Sequence, residues 1–132
     1  MRPVASTHAY IAVVDDEVAV RTMLGRLLRL ADYDVMAFAC GDDLIRSIPS
    51  RRPDCVVLDI HMPGLSGLDV QSRLADEQIA IPLVFITASD EVALDRRVQR
   101  AGGVRLLRKP FSNDELLEAV GAALARKPPQ AS

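Results

Sequence analysis

Short apolar runs alternate with segments of helical periodicity along nearly the whole chain, and this alternation limits the possible folds more than any other feature. Apolar runs predict five β-strands, at residues 10–14, 33–38, 55–59, 82–87 and 104–107. Because these runs are almost continuously apolar, they are typical of strands that are buried on both faces of a sheet.

The segments between the strands predict five helices. The first places six apolar residues on one face: Val20, Met23, Leu24, Leu27, Leu28 and Ala31. The others are predicted at 41–48, from Ser66 or Gly67 to Asp76, at 90–101 with Val92, Leu94 and Val98 as apolar positions, and at 112–126. In the last helix Ser112 is the N-cap and Glu115 follows three residues later, which is the pattern of a capping box.

This alternation of strands and helices predicts an α/β fold, a doubly wound parallel sheet covered by helices on both faces. A chain of 132 residues has the length of one domain. We expect a flexible tail at residues 1–8, the domain at 9–126, and a tail or truncated linker at 127–132.

Composition narrows the function classes. The net charge of −2 gives no electrostatic reason to expect nucleic-acid binding by this chain. No apolar stretch is long enough to span a bilayer, and the start lacks the apolar core of a signal peptide, so we predict a cytoplasmic protein without membrane contact. Cys40 and Cys55 have no metal-ligand or redox spacing and are expected to be reduced thiols.

Polar residues stand where the predicted strands end. They are Asp15, Asp16 and Glu17 after the first strand, Asp59 at the end of the third, Thr87 at the end of the fourth, and Lys109 after the fifth. In parallel sheets of this kind, ligands bind beyond the carboxyl ends of the strands. We therefore expect these side chains to share one concavity.

The chemistry of this group indicates a phosphoryl site. Crowded carboxylates need a cation among them, and oxygen ligands without His or Cys suit Mg²⁺. A metal, the Lys109 ammonium and the Thr87 hydroxyl can neutralise and hold phosphoryl oxygens, which leaves Asp59 as the nucleophile that forms an acyl phosphate. Of the 16 lysines and arginines only Lys109 and Lys127 are lysines. A lysine at position 109 is therefore unusual in this sequence, and its compact ammonium suits a phosphoryl oxygen.

Four segments in order, VVDDE, VVLDIHMPGLSGLDV, FITAS and LRKPFSNDEL, resemble the signature segments of response-regulator receiver domains of two-component signalling, of the chemotaxis-receiver type. The resemblance implies a flavodoxin-like (βα)5 fold with strand order 2-1-3-4-5. It also implies that Asp59 accepts a phosphoryl group from the phosphohistidine of a sensor histidine kinase or a histidine phosphotransfer protein. The chain would then be a switch that changes partner affinity, and no enzyme beyond its own phosphoryl acceptance and slow autodephosphorylation.

The resemblance assigns a role to each site residue. Asp16, Asp59 and the backbone carbonyl of His61 would bind Mg²⁺ directly, and Asp15 would act through water. Thr87 would be the switch hydroxyl, and Lys109 would bind the phosphoryl group. The Lys109–Pro110 peptide bond would be cis, and Ala88 would be small enough to leave room for the phosphate. The side chain of His61 is expected to face solvent.

One position departs from the family pattern, because Leu106 stands where receivers usually carry an aromatic switch residue. This departure leaves open a phosphate-independent binding module. A Mg²⁺-dependent phosphohydrolase with an aspartyl-phosphate intermediate is a weaker alternative, since the chain lacks both the usual D-x-D pair and a cap insertion. An output domain or effector and a phosphorylation-dependent homodimer also remain open. Five arginines, Arg96, Arg97, Arg100, Arg105 and Arg108, form either a solvated face or a docking surface for an acidic partner.

Overall fold

Each predicted strand and helix is present in the computed structural model, which describes residues 8–100 and 105–126. The strands are β1 (Tyr10–Val14), β2 (Asp34–Phe38), β3 (Cys55–Asp59), β4 (Leu83–Thr87) and β5 (Arg105–Arg108). The helices are α1 (Val18–Leu30), α2 (Gly41–Ser47), α3 (Gly67–Asp76), α4 (Ala93–Arg100) and α5 (Asn113–Ala125). The predicted tails lie outside the described residues, except for His8.

All strands are parallel and lie in the order β2-β1-β3-β4-β5, which confirms the doubly wound fold. Strand β1 lies between β2 and β3, so β1 and β3 are neighbours although β2 lies between them in sequence. Val14 pairs with Leu58, and Asp59 pairs with Ile86. The residues that follow these positions therefore meet at one edge of the sheet.

Two apolar layers cover the sheet. Residues of α2, α3 and α4 pack on one face and residues of α1 and α5 on the other. The three central strands, β1, β3 and β4, are buried at every residue. In the described part of the chain the buried polar or charged residues are Asp15, Asp59 and Thr87, all at the carboxyl edge. Buried polar groups are costly unless they are paired or hydrogen-bonded, so these three residues require partners at this edge.

Two apolar positions do not lie where the helical pattern predicts. Val92 precedes α4 and is 81% exposed, because this helix contacts the core through Leu94 and Val98, four residues apart. Met23 is 45% exposed, since the stripe formed by Leu24 and Leu28 is the one that faces the sheet. Strand β5 ends one residue later than predicted, and positions 101 and 104 lie outside the described residues.

Capping supports the last helix as its sequence predicts. The Ser112 hydroxyl accepts the Glu115 N–H at 3.0 Å, and the Glu115 carboxylate accepts the Ser112 N–H at 2.8 Å. Two otherwise unpaired amides are thereby satisfied at the start of α5. The same reciprocal arrangement joins Ser66 and Asp69 at the start of α3.

Candidate functional site

The strand register brings the predicted site residues to one edge of the sheet. Asp15 follows the residue of β1 that pairs with Leu58, so it lies beside Asp59. Thr87 ends β4 and pairs with Arg108, and the next residue is Lys109. The polar residues after four different strands thus form a single group, as the topology predicts.

The Lys109 ammonium lies among three carboxylates. Its Nζ is 3.2 Å from Asp15 Oδ2, 3.6 Å from Glu17 Oε1 and 3.9 Å from Asp59 Oδ2. Burial by itself would lower the pKa of Lys109, but Asp59, Asp15 and Glu17 outweigh it, so the pKa is raised. The side chain therefore carries a full positive charge at neutral pH and partly neutralises the acidic group.

Three aspartates form a cluster that could hold a metal ion. Asp15, Asp16 and Asp59 each offer a carboxylate oxygen, and these oxygens lie within 4.8 Å of one another. Asp15 and Asp59 are buried, whereas Asp16 is exposed. An all-oxygen set that is open to solvent on one side suits Mg²⁺, which binds carboxylates and keeps several waters. The residues present therefore fit this ion.

Asp15 is held from several sides. Its Oδ1 accepts the Glu17 N–H at 2.9 Å, while Oδ2 faces Lys109. Its backbone N–H donates to the Phe38 carbonyl in β2, and its own carbonyl accepts a hydrogen bond from Arg21 Nη1 at 2.7 Å. Sequence reasoning missed the contribution of Arg21, although a basic residue in the first turn of α1, next to the Asp-Asp-Glu segment, was a usable signal.

Asp59 is nearly inaccessible, with 4% of its surface exposed. The pKa of Asp59 is raised from 3.8 to about 6, mainly by burial and secondly by the charge of Asp15. The charge of Lys109 and a hydrogen bond from the His61 backbone N–H oppose this rise in part. The ionised form of Asp59 is therefore unfavourable in this pocket unless a further positive charge lies beside it. A bound cation would supply that charge.

The loop after β3 passes very close to Asp59. A Cβ on Gly67 would lie 2.6 Å from the Asp59 carbonyl oxygen and 2.9 Å from Ile60 Cα, so only glycine fits at this position. The Gly67 N–H donates to the Ile60 carbonyl at 2.8 Å, and Gly64 has a φ of +76° within the same loop. These constraints set the path of the chain around His61, whose side chain is exposed.

The Thr87 hydroxyl is buried at the end of β4, where its Oγ1 accepts the Ser89 N–H at 3.0 Å. The Thr87 carbonyl accepts the Lys109 N–H at 2.8 Å, which joins the ends of β4 and β5. Ala88, the next residue after Thr87, is exposed. The Lys109–Pro110 peptide bond is cis.

Leu106 and Arg108 lie on the α4 side of the sheet. Leu106 is partly buried and packs against the apolar layer that includes Leu94 and Val98. Arg108 bonds the loop after Thr87, so it does not belong to a freely solvated arginine face. Sequence reasoning grouped Arg108 with its neighbours because only the structure shows which carbonyls it meets.

Comparison with known proteins agrees with this geometry. The family model of the response regulator receiver domain matches residues 11–121. Nodulation protein W of Bradyrhizobium diazoefficiens is 41% identical over 122 residues, which make up 92% of this chain and 54% of that protein. The transcriptional regulatory protein TdiR of Thauera aromatica is 36% identical over 115 residues, 87% of this chain and 51% of that protein. The crystal structure of a receiver protein from Burkholderia phymatum aligns with a TM-score of 0.78 at 39% identity, covering 89% of this chain and 95% of that one.

The chain therefore belongs to the response regulator receiver domains of two-component signalling. It spans about half the length of the curated relatives named above. Within residues 8–100 and 105–126, no helix is long and apolar enough to cross a membrane.

Proposed function

We propose that this receiver domain is a cytoplasmic switch that is phosphorylated on Asp59 and thereby changes its affinity for a partner. The observation that carries the proposal is the position of the Lys109 ammonium, within 4 Å of both Asp59 and Asp15 at the buried carboxyl edge. A carboxylate nucleophile beside a fixed cation is suited to accept a phosphoryl group, because charge on the phosphoryl oxygens is neutralised where it develops.

Mg²⁺ would be held directly by Asp16, Asp59 and the carbonyl of His61, and by Asp15 through water. The indirect role of Asp15 is supported by its two oxygens, which already accept bonds from the Glu17 N–H and from Lys109. Bound Mg²⁺ supplies charge neutralisation at the phosphoryl oxygens.

In the proposed step an Asp59 oxygen attacks the phosphorus of a phosphohistidine. The new P–O bond gives an acyl phosphate, the P–N bond breaks, and the departing imidazole retains the electron pair and takes up a proton. Lys109 holds one phosphoryl oxygen and the Thr87 hydroxyl donates to another. Attack by water on the phosphorus breaks the O–P bond to Asp59, releases inorganic phosphate and restores the carboxylate, which slowly resets the switch. Beyond this reaction the chain turns over no separate substrate.

The partners follow from the family. The donor would be a sensor histidine kinase or a histidine phosphotransfer protein, and the recipient of the signal an output domain or a separate effector. One relative is named a transcriptional regulatory protein and is about twice as long as the aligned segment, which supports an output domain in such proteins. A phosphorylation-dependent homodimer fits the same scheme. With a net charge of −2, direct nucleic-acid binding by this chain has no electrostatic support.

The test is incubation of the purified chain with Mg²⁺ and acetyl phosphate, followed by intact-mass measurement. We expect one added phosphoryl group that hydroxylamine removes, and none in Asp59→Asn. Asp76→Asn, an exposed carboxyl at the end of α3, serves as the matched control and should be phosphorylated normally. An unmodified wild type, or an equally modified Asp59→Asn, would overturn the proposal.

Lys109→Arg separates the lysine's role from metal binding. An extended guanidinium cannot occupy the position of the ammonium between Asp15 and Asp59, so the phosphorylation-dependent change should be lost while Mg²⁺ affinity is largely kept. Equal loss of both would show that the lysine is misassigned.

Two further measurements separate the alternatives. Rapid multiple turnover of a phosphate ester would favour a phosphohydrolase, although the longest connections in the described part of the chain, 48–54 and 60–66, are too short to form a cap over a substrate. Partner binding by an unphosphorylated chain, unchanged in Asp59→Asn, would instead favour a phosphate-independent module, which the leucine at position 106 keeps open.

A further inference from the structure

Arg108 ties the end of β5 to the loop that follows Thr87. Its Nε donates to the Ser89 carbonyl at 3.2 Å, and its Nη2 donates to the Glu91 carbonyl at 2.7 Å. Its Nη1 lies 3.2 and 3.4 Å from the two carboxylate oxygens of Asp95, in the first turn of α4. One guanidinium therefore holds the β4–α4 loop at two carbonyls and the helix at a carboxylate.

Arg105, the other arginine of β5, has no such network among the described residues. Arg105 projects to the opposite face of the sheet, where it meets Glu118 of α5 at 3.8 Å. Its side chain is 41% exposed, compared with 31% for Arg108. A single exposed ion pair such as that of Arg105 contributes little to stability. The planar guanidinium of Arg108, bonded to two carbonyls and a carboxylate, also restrains the position of the loop and of α4.

The loop held by Arg108 is bonded to the phosphoryl site through one residue. The Ser89 N–H donates to Thr87 Oγ1 at 3.0 Å, and the Ser89 carbonyl accepts from Arg108. The Ser89 hydroxyl in turn accepts the Glu91 N–H at 3.1 Å. A continuous set of hydrogen bonds thus leads from Thr87 to the start of α4.

We infer that Arg108 is a positioning residue that couples the Thr87 hydroxyl to the β4–α4 loop and α4, a role that the apolar Leu106 cannot fill. The inference rests on the proposed function. When the Thr87 hydroxyl turns to a phosphoryl group on Asp59, the Ser89 N–H loses its acceptor, and the loop must rearrange to satisfy it. The Arg108 bonds oppose that movement, so they stabilise the unphosphorylated arrangement.

Amide hydrogen exchange tests the coupling in Arg108→Lys. Lysine keeps the positive charge, but its single nitrogen cannot replace the three guanidinium nitrogens that contact Ser89, Glu91 and Asp95 separately. Without any phosphodonor, we expect exchange of the Ser89 and Glu91 amides to rise about fivefold over wild type, which corresponds to the net loss of roughly one ordinary hydrogen bond. Mg²⁺ affinity should stay nearly unchanged, and the urea midpoint should fall by no more than about 0.5 M. Arg105→Lys is the matched control and should leave the loop amides as in wild type.

A second experiment measures the same amides after phosphorylation, in the wild type and in Arg108→Lys. In the wild type, acetyl phosphate with Mg²⁺ should speed exchange of the Ser89 and Glu91 amides by severalfold. In Arg108→Lys, the same treatment should change it by less than twofold, because the loop is already released. This muted response, at equal phosphate content by mass, is an outcome that general destabilisation would not produce.

The outcomes distinguish the two proposals. A wild type that takes up no phosphoryl group overturns the proposed function, and this inference with it. A phosphorylated wild type whose loop exchange rises equally in Arg108→Lys, or an Arg108→Lys loop that is as protected as the wild-type loop, overturns the role of Arg108 alone.

Discussion

Replacing Asp59 by asparagine should stabilise the metal-free protein. The side chain is 4% exposed and lies next to Asp15, so its ionised form is unfavourable in the folded state. Asparagine has the same shape, carries no charge and can still accept the N–H of His61. The substitution therefore removes an unfavourable charge while keeping the packing.

The pKa supplies the magnitude of this gain. The difference between about 6 in the folded protein and the ordinary value of 3.8 corresponds to roughly 3 kcal/mol. Lys109 retains two other carboxylate partners in the variant, Asp15 and Glu17, so its charge stays compensated. With a urea slope of about 2 kcal/mol/M, the midpoint should rise by about 1.5 M.

The gain depends on pH in a defined direction. Between about pH 4 and 6 the folded wild type binds a proton at Asp59 that the unfolded chain has released, so wild-type stability falls as pH rises through this window. The advantage of Asp59→Asn is therefore complete above about pH 6 and absent below about pH 4. This sign is the reverse of that for a carboxylate in a stabilising ion pair.

The measurement is urea unfolding from pH 3.5 to 8 in the presence of a chelator, followed by far-UV circular dichroism because the chain has no tryptophan. Asp76→Asn is the control and should stay within about 0.5 kcal/mol of the wild type at every pH. The reasoning is refuted if Asp59→Asn brings no gain at neutral pH. A gain that persists unchanged at pH 3.5 would likewise refute it, since charge would not be the cause.

Three further predictions concern Mg²⁺, the β3–α3 loop and the α5 cap. Mg²⁺ at 100 times its dissociation constant should stabilise the wild type by about 2.7 kcal/mol, and Asp16→Asn should weaken binding roughly tenfold or more by calorimetry; unchanged affinity would exclude Asp16 as a ligand. Gly67→Ala should cost about 1–3 kcal/mol in urea unfolding, whereas Gly121→Ala, whose Cβ would meet nothing within 4 Å, should gain up to about 1 kcal/mol; equal effects would contradict the close approach. Ser112→Ala should cost about 1 kcal/mol by loss of the cap, and an unaltered midpoint would count against it.

Most of the architecture could be predicted from local patterns. The bounds of β3 and the capping box at Ser112 agree with the structure, because each depends on residues a few positions apart. Convergence of Asp59 and Lys109 also followed from the sequence, since the carboxyl ends of parallel strands share one edge. The same periodicity misplaced Val92, because an apolar residue at the start of a helical pattern need not enter the core.

The amino-acid sequence by itself therefore determined the class of fold and the chemical types of the side chains at the site. Tertiary structure decided which distant groups meet: Arg21 on the Asp15 carbonyl, and Arg108 on the Ser89 and Glu91 carbonyls. It also decided the raised pKa of Asp59, which depends on burial and on the charge of Asp15 at the end of the adjacent strand. The physical reason is range, because periodicity and caps act over a few residues, whereas burial and ion pairing arise only when packing brings separate strands and loops together.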